Sequence, residues 1–69
     1  MSEAIDALIK ICNGYNQMIN IILEDCQFGP DEEGVDEHYV IAFEHGPNRT
    51  REYANVWRDE GSEKWRAEW

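Results

Sequence analysis

From Ile5 to Cys26 the apolar residues recur in steps of three and four: Ile5, Leu8, Cys12, Tyr15, Ile19, Ile22 and Cys26. That is the period of one face of an α-helix. Asp6, Lys10, Asn13, Gln17, Asn20 and Glu24 follow the same stepping on the opposite face. The spacing predicts one amphipathic helix over residues 3–26, started by Ser2 or the residues just after it. Asn13-Gly14 is a common helix stop, and a break there would leave Gln17 to Leu23 free to form a strand. Both stripes keep their phase across Gly14, which favours the unbroken helix. Glycine in its interior costs about 1 kcal/mol relative to alanine.

The apolar face is broad. Ala4, Ala7, Ile11 and Met18 widen one flank, Ile9 and Leu23 the other. The face then spans roughly 200° of the helix, where a single buried face needs ~100°. Either the rest of the chain wraps around it, or a second copy or partner covers part of it. The heptad spacing Ile5/Cys12/Ile19/Cys26 with Leu8/Tyr15/Ile22 is compatible with helix pairing, and so with a homodimer.

Gly29-Pro30 closes this first element, and an acidic loop occupies residues 27–37. His38 to His45 is β-branched and aromatic and is stopped by Gly46-Pro47-Asn48, which reads as a strand. Tyr39, Ile41 and Phe43 share the face that packs on the helix. Residues 50–59 alternate Arg51/Tyr53/Asn55/Trp57 with Thr50/Glu52/Ala54/Val56. After the turn signal Glu60-Gly61-Ser62, Trp65, Ala67 and Trp69 share one face of segment 63–69. The competing reading makes 50–59 helical, with Tyr53, Val56 and Trp57 at helical spacing. The expected fold is α+β: a single domain over 1–69, with one long N-terminal amphipathic helix on a small antiparallel three-stranded meander of strands 38–45, 50–59 and 63–69.

Fifteen Asp and Glu against six Lys and Arg give a net charge of -9, and the excess is local. No Lys or Arg occurs between Lys10 and Arg49, while Glu24, Asp25, Asp31, Glu32, Glu33, Asp36, Glu37 and Glu44 fall in that interval. Acids at a helix C-terminus oppose the macrodipole, so Glu24 and Asp25 are not placed for stability. One reading of the cluster is a solvated loop that keeps the chain soluble. A calcium loop fails, because counting from Asp31 puts Gly34 fourth and Asp36 sixth, where glycine is needed. The remaining reading is a docking surface for a basic protein, with carboxylates in place of a phosphate backbone and Trp57, Trp65 or Trp69 as apolar anchor. Direct nucleic-acid binding is disfavoured, since phosphate repels such a chain.

Little here suggests catalysis. His38 and His45 are seven apart on the predicted strand, so they point to opposite faces and are expected in solvent at its ends. Cys12 and Cys26 lie fourteen residues apart, about 21 Å on an intact helix, too far for a disulfide and without zinc spacing. There is no glycine-rich phosphate loop. The expectation is a non-enzymatic protein with no cofactor and no metal. The acidic N-terminus lacks the pattern of a signal peptide and no apolar run is long enough for a membrane span, so a cytoplasmic location with reduced thiols is expected.

In size, in the acidic segment from Glu24 to Glu44 and in its lack of catalytic motifs, the chain resembles small phage-encoded inhibitors: anti-CRISPR proteins, anti-restriction proteins and other DNA mimics. The resemblance implies a partner that is a nuclease or CRISPR effector subunit, met in the host cytoplasm and blocked at its nucleic-acid site. The alternative is a small structural or regulatory subunit that homodimerises through the broad helix face.

Overall fold

In the computed structural model, which describes residues 2–29 and 33–69, the N-terminal helix α1 covers Ser2–Gly14. It does not run on to residue 26. The Asn16 amide donates to the Asn13 carbonyl (3.0 Å) and the Gln17 amide to the Cys12 carbonyl (2.9 Å), and Asn16 itself sits at φ 58°. This is a Schellman closure with asparagine in the left-handed position, so the stop signal at Asn13-Gly14 prevails. Ile19-Asn20-Ile21 then alternates as strand β1 (Ile19–Ile21). The helical phase beyond Gly14 was coincidence: Ile19 and Ile21 point inward with period two.

Five further elements follow: a 3₁₀ turn at Leu23–Asp25, β2 (Gln27–Phe28), β3 (Val35–His45), then β4 (Thr50–Asp59) and β5 (Trp65–Glu68). All pairings are antiparallel, in the order β1-β3-β4-β5, with β2 also on β3. The architecture is α+β. The expected meander is present as β3–β4–β5, and segment 50–59 is a strand, not a helix. The additional edge comes from residues assigned to the long helix. Ile21 pairs with Phe43 and Gln27 with Val40, so Ile22–Cys26 bulges out of a single interrupted edge strand. The Ile22 amide donates to the Ala42 carbonyl of β3 (2.9 Å) and the Cys26 amide to the Leu23 carbonyl (3.1 Å), so the excursion is tied to β3 at its start and closed on itself at its end.

The core lies between α1 and one sheet face. Ala4, Leu8 and Cys12, one turn apart on the helix, meet Tyr39, Ile41, Phe43, Ala54 and Val56, all buried. Full burial of side chains the size of Leu8 or Phe43 contributes about 1.5–3 kcal/mol each. The small Ala54 and Val56 on β4 leave room above them. Trp65 leans across to Tyr39 (ring centroids 6.1 Å) and Trp69 to Phe43 (6.1 Å). Tyr15, Met18 and Leu23, expected on the broad helix face, are 74%, 85% and 67% exposed and all lie outside α1. The face on which helix pairing was based therefore does not exist as one surface. Cys12 is buried, Cys26 half-buried, and both are free thiols. No described helix is long and apolar enough to cross a membrane.

Candidate functional site

The linear acidic segment does not stay together in space. Asp25, on the 3₁₀ turn, pairs with Arg51 (3.0 Å), and Glu44 lies opposite Arg51 in the β3–β4 register. These residues sit toward the β3–β4 turn. Glu24 is exposed on the same excursion. Asp36 and Glu37 lie at the other end of β3, and Glu33 is exposed in the turn before it. Asp31 and Glu32 fall outside the described residues.

Asp36 and Glu37 converge on one cation. Consecutive strand residues normally point to opposite faces. Here the register shifts between Val35 and Glu37, and this bulge lets both carboxylates reach Arg58 Nη2, at 2.6 Å and 2.7 Å. The Arg58 guanidinium also lies over the Trp65 ring (5.6 Å). Glu37 uses its other oxygen to accept from the Tyr39 hydroxyl (2.8 Å). That bond to a carboxylate, reinforced by burial, raises the Tyr39 pKa.

Around Arg58 the chain gathers acids from three separate segments. The Glu60 amide donates to the Gly34 carbonyl (3.0 Å) and Val35 pairs with Asp59, so the β4–β5 turn lies beside the loop before β3. Glu3 and Asp6 of α1 line an open groove of about 570 Å³ together with Lys10, Arg58, Glu63 and Trp65. Glu3, Asp6, Glu33, Glu60 and Glu63 are all exposed, and among the described residues none of them forms an ion pair. The helix N-terminus favours Glu3 through its dipole. No such local stabilisation accounts for Glu33, Glu60 or Glu63.

The four residues Glu3, Asp6, Glu60 and Glu63 were missed by the charge map, because the first ten residues and the tail are each close to neutral along the chain. One signal was available. In the expected meander, the turn at Glu60-Gly61-Ser62 and the loop before His38 fall at the same end. The tryptophans divide between the two faces. Trp65 is the one beside the acids. Trp69, on the same face, is 43% exposed. Trp57 is on the uncovered face of the sheet, beneath Arg66 (5.3 Å).

The histidines correct the sequence reading. His38 is only 9% exposed, with Nε2 3.2 Å from Asn55 Oδ1. His45 is half-buried, with Nε2 2.7 Å from Glu52 Oε2. Neither stands free at a strand end. Gly29 explains the burial of His38: a Cβ there would lie 2.8 Å from two of the His38 ring atoms. Among the described residues, no cluster of three or more His, Cys, Asp or Glu is placed to hold a metal. No family model matches the chain, and neither a curated protein nor a solved structure shows significant similarity to it.

Proposed function

We propose that this chain is a non-enzymatic interaction module, an inhibitor whose acidic end occupies a basic nucleic-acid-binding site on a nuclease or CRISPR effector subunit. One observation carries the reading: five exposed carboxylates from three chain segments meet at one end of the sheet without ion-pair partners among the described residues. Exposed like charges brought together repel, and folding stability alone gives no reason to collect them. A cationic groove built for phosphate supplies the missing counter-charges and steers association. Trp65, in the wall of the same groove, is the apolar anchor. Glu33 continues the docking surface proposed from sequence, together with Asp31 and Glu32. Asp36 and Glu37 serve chiefly to hold Arg58. The site of action is the cytoplasm of a host cell.

The test is competition. A fluorescently labelled DNA duplex is bound to a purified CRISPR effector or restriction nuclease, and its anisotropy is followed as the protein is added. The proposal expects displacement that weakens steeply with salt. Duplex that stays bound at low salt across a panel of such complexes contradicts it.

A further inference from the structure

Strand β5 is the last row of the sheet, and among the described residues no strand pairs with its outer edge. Unpaired edges invite another strand, and proteins usually guard them with bulges or charge. The opposite edge is guarded in this way, broken between β1 and β2 by the Ile22–Cys26 excursion. The β5 edge has no interruption. With Trp69, the residue after it, the strand reads Trp65-Arg66-Ala67-Glu68-Trp69, which is self-complementary about Ala67.

We propose that a second copy of this chain pairs with β5 edge to edge, antiparallel and centred on Ala67. In that register Arg66 of each copy lies opposite Glu68 of the other, Trp65 opposite Trp69, and Ala67 opposite Ala67. Residues directly opposite in an antiparallel pair share a face, with Cβ atoms about 4.5–5.5 Å apart. Both charge pairs then form on the uncovered face, where Arg66 and Glu68 are exposed. The tryptophan pairs form on the helix side. Moving the centre to Arg66 sets arginine against arginine, and moving it to Glu68 sets glutamate against glutamate. The charges that would reject a foreign strand thus select this register of the chain's own copy.

The surroundings of the edge fit this occupant. Ile11, Tyr15, Ala67 and Trp69 line a second groove beside β5, with Tyr15 74% and Trp69 43% exposed. A strand added to β5 covers that groove. The two-fold axis stands perpendicular to the sheet, so both helices lie on one side of a continuous antiparallel sheet. The acidic ends, which adjoin the start of β5, then lie on opposite flanks of the dimer. This inference is independent of what the acidic end binds.

Sedimentation equilibrium over a concentration series tests it. Wild type is expected to dimerise reversibly. Glu68→Arg, a change at an exposed position, places arginine against arginine and should weaken the dimer by at least ~10-fold. Arg66→Glu should do the same with glutamates. An equimolar mixture of the two variants restores both opposite-charge pairs and should recover dimer. Arg66 also touches Asp59 (3.3 Å) and Trp57, so Arg66→Glu could lose its fold. Amide exchange at residues 65–69 supplies a readout that needs only Glu68→Arg: protection should rise with concentration in wild type and not in the variant. A wild type that stays monomeric up to roughly 1 mM overturns the proposal. So does a Glu68→Arg variant that dimerises as well as wild type, which would place the interface on another surface such as the helix.

Discussion

Toward the β3–β4 turn, Asp25 meets Arg51, Glu52 lies against His45, and Glu44 stands opposite Arg51. At the other end of the same strands, Arg58 holds Asp36 and Glu37, and five more carboxylates remain exposed around it without ion pairs among the described residues. Both ends are built from antiparallel strand termini and a turn, so local architecture does not account for the difference. It lies in which residues the β3–β4–β5 register brings side by side. At one end Asp25, Glu44 and Glu52 each lie against or opposite a basic side chain, where pairing adds a little stability, while Glu24 is exposed without an ion pair among the described residues. At the other, one half-buried arginine organises the site and the surplus faces solvent. An acid count along the chain merges these two situations.

Arg58 is where the comparison breaks most easily. Arg58→Met should keep the packing on Trp65 but leave Asp36 and Glu37 without their shared cation. A loss of about 1–2 kcal/mol is expected from the shift in the urea midpoint, since two part-exposed pairs are lost together. Gly29→Ala forces a methyl group into the His38 ring and should cost about 1–3 kcal/mol by the same measurement. Its effect reports how firmly the edge strand is seated where it enters the acidic loop. Tyr39 gives a subtler readout of the acidic end. Its folded pKa is raised above the ordinary value of 10.0, chiefly by the hydrogen bond to Glu37. The stability held by the neutral phenol is therefore complete below pH ~10 and lost as pH climbs through the raised value. Absorbance titration with the exposed Tyr15 and Tyr53 changed to phenylalanine should show this, and Glu37→Gln should bring the midpoint back toward the ordinary value. At the other end, Asp25→Asn removes a half-exposed pair with Arg51 and should cost under about 1 kcal/mol. A loss comparable to that of Arg58→Met would erase the contrast between the ends.

The sequence made the sheet legible because alternation and punctuation agree there. Gly46-Pro47-Asn48 and Glu60-Gly61-Ser62 fall at the observed turns, and Tyr39, Ile41 and Phe43 face the helix as their spacing requires. The helix was overextended because periodicity is a statement about faces, and Ile19, Ile22 and Cys26 satisfy helical spacing without being helical. The decisive signals were local: Asn13-Gly14 and an asparagine able to adopt positive φ at Asn16. The burial of His38 had no sequence signal, since it depends on a glycine nine residues away across a strand pair. The acidic end was legible only in part. Glu33 lies within the acidic segment, but Glu3, Asp6, Glu60 and Glu63 join it through tertiary contacts between locally neutral segments.

The most direct test sets the two groups of acids against each other in the DNA-displacement assay. Glu33, Glu60 and Glu63 are reversed to lysine in one variant, Glu24 and Glu44 in a second, with folding checked by circular dichroism. The account predicts that the first loses displacement by at least ~10-fold while the second stays within about 2-fold of wild type. Equal losses in the two variants, or a larger loss in the second, would contradict it and return the function to the linear acidic segment or to net charge alone.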